Sequence, residues 1–175
     1  MPNRQHHSAD QPMEVLDDCH RDIVAQLANL RELLQRVNGL DVDEAAQVMA
    51  RQAHLYFSTT ALQHHLDEEL HVFPAVLALH DGRLGLLVVR LQRDHRDMEK
   101  RWAAVRQALA RVAHADAKNR RPFSDVDQAD MDAFVTIYKD HIKAEEEQVY
   151  PQAKQALSLD QLVVMSRDMV GRRGR

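Results

Sequence analysis

The sequence predicts an all-α fold: an up-down-up-down four-helix bundle with a short helix added at its C-terminal end. Three observations predict it. Apolar residues recur at steps of three and four over long stretches, the breaks between those stretches are short, and only five Gly and five Pro occur in 175 residues that are 45% hydrophobic and 29% charged. Four amphipathic rods joined by short connections bury their stripes most economically against one another, each antiparallel to the last.

In the first helix Leu16, His20, Ile23, Leu27, Leu30 and Leu34 form the stripe, and Asn38-Gly39 is a good stop. The second opens near Asp41 to Asp43 and aligns Ala50, His54, Phe57, Ala61, His64, Glu68, His71 and Ala75. Pro74 lacks a backbone donor, so it should bend or break this helix, leaving Ala75 to Leu79 as a re-aimed last turn before His80-Asp81-Gly82. The third is the most regular: Val88, Leu91, His95, Met98, Trp102, Val105, Leu109 and Val112 share one face, with His95 in its middle. A polar loop from Ala115 to Pro122 leads to Ser124, whose offset to Asp127 resembles a capping signal. The fourth helix buries Met131, Phe134, Tyr138, His141 and Glu145 before Pro151 interrupts it. Ser158 and Gln161 open a short fifth helix, and Gly171 to Arg175 reads as a frayed tail. The implied division is a disordered segment over 1–12, the bundle over 13–157, and a C-terminal helix with a basic tail over 158–175.

Composition excludes several functions. A formal net charge of -4 and a pI near 6.2 give no basic face of the kind that nucleic acid or an acidic membrane requires, so neither partner is expected. No apolar run approaches the ~18 residues of a spanning helix, and the polar start from Met1 to Pro12 lacks the apolar core of a secretion signal. Cys19 is the one cysteine and has no internal partner, so a cytoplasmic setting is expected, with Cys19 acting as a small buried hydrophobe.

The chain also repeats itself. His20-Arg21-Asp22 recurs as His95-Arg96-Asp97, and His64-x-x-x-Glu68 followed by Phe73-Pro74 recurs as His141-x-x-x-Glu145 followed by Tyr150-Pro151. The separations nearly match, 44 residues from His20 to His64 and 46 from His95 to His141, as a helix pair used twice about a pseudo-twofold axis requires. Such packing brings one His from each helix, and one Glu from the second and fourth, towards the middle. An ionised carboxylate buried there is penalised unless it is paired or bound to a metal. Four imidazoles and two carboxylates are donors that iron, manganese or zinc accept. Two ions fit this set better than one. Each Glu can bridge, each ion keeps two His, and an oxo or hydroxo bridge brings each to five ligands. An octahedral ion then keeps a position open for a small exogenous molecule.

These motifs resemble those of the hemerythrin-like, or HHE cation-binding, family: a His early in helix one, H-x-x-x-E followed by F-P in helix two, a His in helix three, and H-x-x-x-E followed by an aromatic residue and Pro in helix four. The likeness spans residues 14 to 157. It implies that His20, His64, Glu68, His95, His141 and Glu145 hold two iron ions in an oxo- or hydroxo-bridged centre, with zinc or manganese as alternative occupants. It implies further that the centre binds dioxygen, nitric oxide or peroxide for sensing, iron storage and handling, or detoxification. A di-iron redox enzyme or iron-sulfur cluster repair protein is the alternative, and a metal-free helical interaction module a second one. A homodimer is compatible with the sequence.

One position departs from the pattern. In oxygen-carrying members the third helix supplies H-x-x-x-H, whereas here Glu99 stands four residues after His95. Glu99 is expected either to take that metal position or to face solvent beside Arg96 or Lys100. His65 and Glu69 share the HxxxE offset but are rotated ~100° from the stripe and expected at the surface. His71 lies ~10 Å along the axis from His64, which suits a gate or a core histidine better than a ligand. Tyr138, one turn before His141, either lines the pocket or simply packs. Reading Glu68 and His71 as E-x-x-H would suggest a ferritin-like protein, but the second copy has Gln148 three residues after Glu145.

Overall fold

A computed structural model describes residues 11–37, 42–115 and 123–174. Residues 1–10 of the segment expected to be disordered over 1–12, the helix stop at Asn38-Gly39 and nearly all of the Ala115 to Pro122 loop lie outside these residues, whereas Gln11 and Pro12 are described and Pro12 already begins a helix. Among the described residues every regular element is helical.

Helix α1 (Pro12–Val37) opens on a proline, whose missing N–H costs nothing in a first turn that has no intrahelical acceptors. Leu16, Ile23, Leu27, Leu30 and Leu33 are completely buried, so Leu33 takes the stripe position expected of Leu34, which is only partly covered. The second rod is more broken than its periodicity suggests. α2 (Glu44–Ser58) is capped by Asp43, whose carboxylate accepts the Ala46 N–H at 2.8 Å. At Thr59 the backbone leaves the helical region, and the hydroxyl donates to the Leu55 carbonyl at 2.8 Å. α3 (Thr60–Asp67) then passes into a π turn over Glu68–Val72 and a short α4 (Phe73–Leu77).

Pro74 accounts for that π turn. Its ring would collide with the carbonyl four residues back, so the helix widens ahead of it, and the Phe73 N–H reaches five residues back to the Glu68 carbonyl. The chain then stays helical. Of the bend or break expected at Pro74, the rod shows no break: it stays helical with a π turn inserted ahead of the proline. The fourth rod repeats the device: α6 (Asp125–Ala144), a π turn over Glu145–Val149, then α7 (Tyr150–Ala156), with the Tyr150 N–H donating to the Glu145 carbonyl just before Pro151.

The third rod, α5 (Gly82–Ala113), is uninterrupted, and Asp81 caps it by accepting the Arg83 and Leu84 N–H groups. Capping boxes open α6 at Ser124 and Asp127, and the last helix, α8 (Leu159–Arg173), at Ser158 and Gln161. Here the tail differs from expectation. The helix runs through Gly171, and Arg172 and Arg173 both reach the completely buried carboxylate of Asp67, so this end is anchored rather than frayed.

α1 packs on α2, α2 on α5, α5 on α6, and α6 back on α1, closing a ring of four rods, while α8 lies against α1 and α3. The core inside is divided in two. One apolar cluster runs from Ile23 to Val37 of α1 and includes Phe57, Trp102, Phe134 and Tyr138. The other joins Met13 and Leu16 to Phe73, Leu84, Val88, Leu91, Tyr150 and, from α8, Met165 and Met169. Between the two lies a polar layer. No helix among the described residues is long and apolar enough to cross a membrane.

Candidate metal centre

Each rod contributes to that layer where its stripe passes from one cluster to the other: His20 between Leu16 and Ile23, His64 and Glu68 between Ala61 and Val72, His95 between Leu91 and Met98, and His141 and Glu145 between Tyr138 and Val149. All six side chains are at most 5% exposed. They form two overlapping groups, His20, His64, Glu68 and Glu145, and Glu68, His95, His141 and Glu145, whose ligand atoms lie within 4.8 Å of one another in each group.

The two carboxylates belong to both groups. Glu68 turns Oε1 towards Nε2 of His64, at 3.4 Å, and of His20, at 3.7 Å, while its Oε2 lies 3.4 Å from His95 Nε2. Glu145 turns Oε2 to His20 Nε2 at 3.2 Å and Oε1 to His141 Nε2 at 3.0 Å. Buried Glu68 Oε2 and both Glu145 oxygens nonetheless accept no well-aligned hydrogen bond. Such orphaned acceptors are expensive unless something positive sits between them and the imidazoles.

The imidazoles carry the same message. His95 Nδ1 is 2.9 Å from Glu69, and His141 Nδ1 is 3.5 Å from Asp94. The carboxylates at Nδ1, hydrogen-bonded to His95 and facing His141 without a formed hydrogen bond, favour the ring proton there and leave Nε2 as a lone pair. Yet the two Nε2 atoms are only 3.0 Å apart. Lone pairs at that distance repel, so a proton or a cation must join them. Without a cation it is a proton: burial opposes the charge on His141, but the Glu145 charge and its pairing with Asp94 and Glu145 raise its pKa to about 9. On His20 burial again opposes the charge, and pairing with Glu145 and Glu68 raises the pKa to about 10. For His64 burial wins, and its pKa falls to about 4. Burial also works against the Glu68 charge, but His64, His20 and His95 hold its carboxyl well below the usual range. Six donors that repel unless neutralised fit a cation site, and the imidazole and carboxylate set suits iron, zinc or manganese.

Glu99 is not with them. It is exposed, because it lies on the far side of His95 from the buried stripe residues Met98 and Trp102. His71 stays out of the layer and pairs instead with Asp168 of α8 at 3.1 Å. His65 and Glu69, expected in solvent, are close to the site. His65 is 8% exposed and stacks on His95 with ring centroids 4.1 Å apart, because a rod with neighbours on two sides buries an arc wider than one stripe. Tyr138 packs in the first cluster, and its ring stacks on His65.

Sequence reasoning also missed Glu146, which is 3.3 Å from His20 Nδ1 as Glu69 is from His95, and Tyr150, whose hydroxyl donates to Glu68 Oε1 at 2.6 Å. A signal was present for the first. Each repeat doubles its glutamate, Glu68-Glu69 and Glu145-Glu146, and in each the second member reaches the histidine contributed by the other helix pair.

The chain is 25% identical over 169 residues to an uncharacterised protein of Haemophilus influenzae, an overlap covering 94% of this chain and 91% of that one. The family model for the hemerythrin HHE cation-binding domain matches residues 11–153, which hold all six clustered side chains. The chain therefore belongs to the hemerythrin HHE cation-binding domain family.

Proposed function

We propose that this protein is a non-haem di-iron protein whose centre binds a small exogenous ligand, dioxygen, nitric oxide or peroxide, in sensing, iron handling or detoxification. One observation carries the dinuclear part: Glu68 and Glu145 each direct one oxygen to the His20 half and the other to the His95 and His141 half, as bridging carboxylates do. The bundle is read as up-down-up-down, since successive rods cross the two apolar clusters in opposite order. An iron pair held there would supply redox-active ions for a small exogenous ligand. His20, His64, Glu68, His95, His141 and Glu145 would hold the ions, and the apolar clusters on either side would keep bulk water out. A reducing cytoplasmic setting suits the buried free thiol of Cys19.

The test is reconstitution of metal-free protein with ferrous iron under nitrogen, followed by metal analysis and visible spectra before and after air and azide. Two irons per chain, an oxo-to-iron band and its change with azide are expected. A protein that retains no iron, or retains it equally after His64→Ala and Glu68→Ala, would overturn the reading.

A further inference from the structure

The two halves of the centre are related by the repeat but not equal. In the half built on α5 and α6, His95 Nδ1 is held by Glu69 at 2.9 Å, and His141 Nδ1 faces Asp94 at 3.5 Å without a formed hydrogen bond. Glu68 Oε2, which serves this half, has no hydrogen-bond partner. In the half built on α1 and α3, His20 Nδ1 has Glu146 at 3.3 Å, and the buried Nδ1 of His64, which like that of His141 makes no hydrogen bond, has no carboxylate within ion-pair distance among the described residues. Glu68 Oε1, which serves this half, already accepts the Tyr150 hydroxyl at 2.6 Å. The aromatic residues before the two prolines show where the symmetry breaks. Tyr150 stacks on His20 and Phe73 on His95, and only Tyr150 carries a hydroxyl to compete for a carboxylate oxygen.

We infer that the two halves load in order, the His95 and His141 half first, and that Glu69 is the positioning residue that secures this first ion. The inference rests on the dinuclear reading above. The physical basis is that a carboxylate behind an imidazole fixes its tautomer and orientation and raises its basicity, effects typically worth ~10–100-fold in metal affinity. A hydrogen bond already made to a carboxylate oxygen lowers what that oxygen can give to an ion.

The experiment is a Co2+ titration of metal-free protein, followed by the d–d absorption of the bound ion and by dialysis equilibrium, for the natural chain and the variants Glu69→Gln, Glu146→Gln and Tyr150→Phe. Glu69 and Glu146 have side chains 39% and 53% exposed, so isosteric amides there leave the fold intact. Two equivalents differing at least tenfold in affinity are expected. Glu69→Gln should weaken the tighter one by ~10–100-fold, Glu146→Gln only the weaker one, and Tyr150→Phe should narrow the gap by strengthening the weaker one. Equal affinities, or a tighter equivalent that responds to Glu146→Gln and not to Glu69→Gln, would overturn the order while leaving the dinuclear reading intact. No Co2+ bound, or a single equivalent lost alike in both amide variants, would overturn both.

Discussion

Asp67 is completely buried, yet it does not point into the metal layer. It accepts hydrogen bonds from Arg172 and, at 2.6 Å, from Arg173, and so ties the end of α8 to the last turn of α3. Asp67→Ala removes the shared acceptor and leaves two guanidinium groups, 23% and 27% exposed, facing an empty pocket. Breaking a buried ion pair from one side costs ~3–5 kcal/mol. Because both arginines keep some access to water, we set the loss here at about 2–3 kcal/mol. At ~2–4 °C per kcal/mol for a domain of this size, Tm should fall by about 4–12 °C. Thermal unfolding followed by circular dichroism reads the shift, and limited proteolysis should find new cleavage within Leu159–Arg173. Asp67→Asn should recover part of the stability, since it keeps the shape and one acceptor. A Tm within about 2 °C of the natural chain, with α8 still resistant, would refute the reasoning and assign the docking of α8 to the packing of Met165 and Met169.

Two further outcomes are expected. Glu99→Ala should leave metal content and visible spectrum unchanged and shift stability by no more than about 0.5 kcal/mol, because the side chain is exposed and outside the ligand groups. Changed metal stoichiometry would return Glu99 to the centre. The metal-free protein should be most stable near pH 6.5, the unperturbed histidine value. His141 and His20 have folded values raised to about 9 and about 10, so the stability they give is complete below pH 6.5 and is lost as pH rises through those values. His64 is lowered to about 4, so its contribution is present above pH 6.5 and is lost as pH falls towards that value. Urea unfolding of chelated protein at pH 5, 6.5 and 9.5 tests this, and stability that is flat or rising above pH 6.5 would contradict it.

Most of the fold could be read directly because its determinants are periodic and local. The stripes through Leu27, Leu91 and Phe134 fall inside as predicted, and the caps at Asp43, Ser124 and Ser158 lie where side-chain acceptors precede apolar runs. The six ligand candidates were legible because an acid on an apolar stripe needs a counter-charge, and the repeat supplied a second copy to check against. What was not legible depends on how rods sit beside one another. A single-stripe reading puts His65 in water, whereas α5 covers it. It also cannot foresee that Asp67, next to a candidate ligand, serves as the anchor for a helix a hundred residues away. Glu99 failed for the opposite reason. One turn from His95 is close along the axis, but the buried face there continues through Met98 and Trp102, and Glu99 lies on its other side.

The two prolines give the site its form. Successive helical residues point ~100° apart, and because the rod buries a wide arc, Glu68 faces the layer while Glu69, one turn after the buried His65, faces α5. The wider π turn ahead of each proline begins at the clustered glutamate itself, Glu68 in one rod and Glu145 in the other. At each of these turns one carboxylate enters the layer and its neighbour reaches the back of a histidine on another rod. The inward carboxylate and the one behind a histidine are therefore neighbours at the same local feature, used twice. What distinguishes the two uses is the residue just before each proline, where a hydroxyl on Tyr150 and none on Phe73 is enough to make a nearly symmetric cradle unequal.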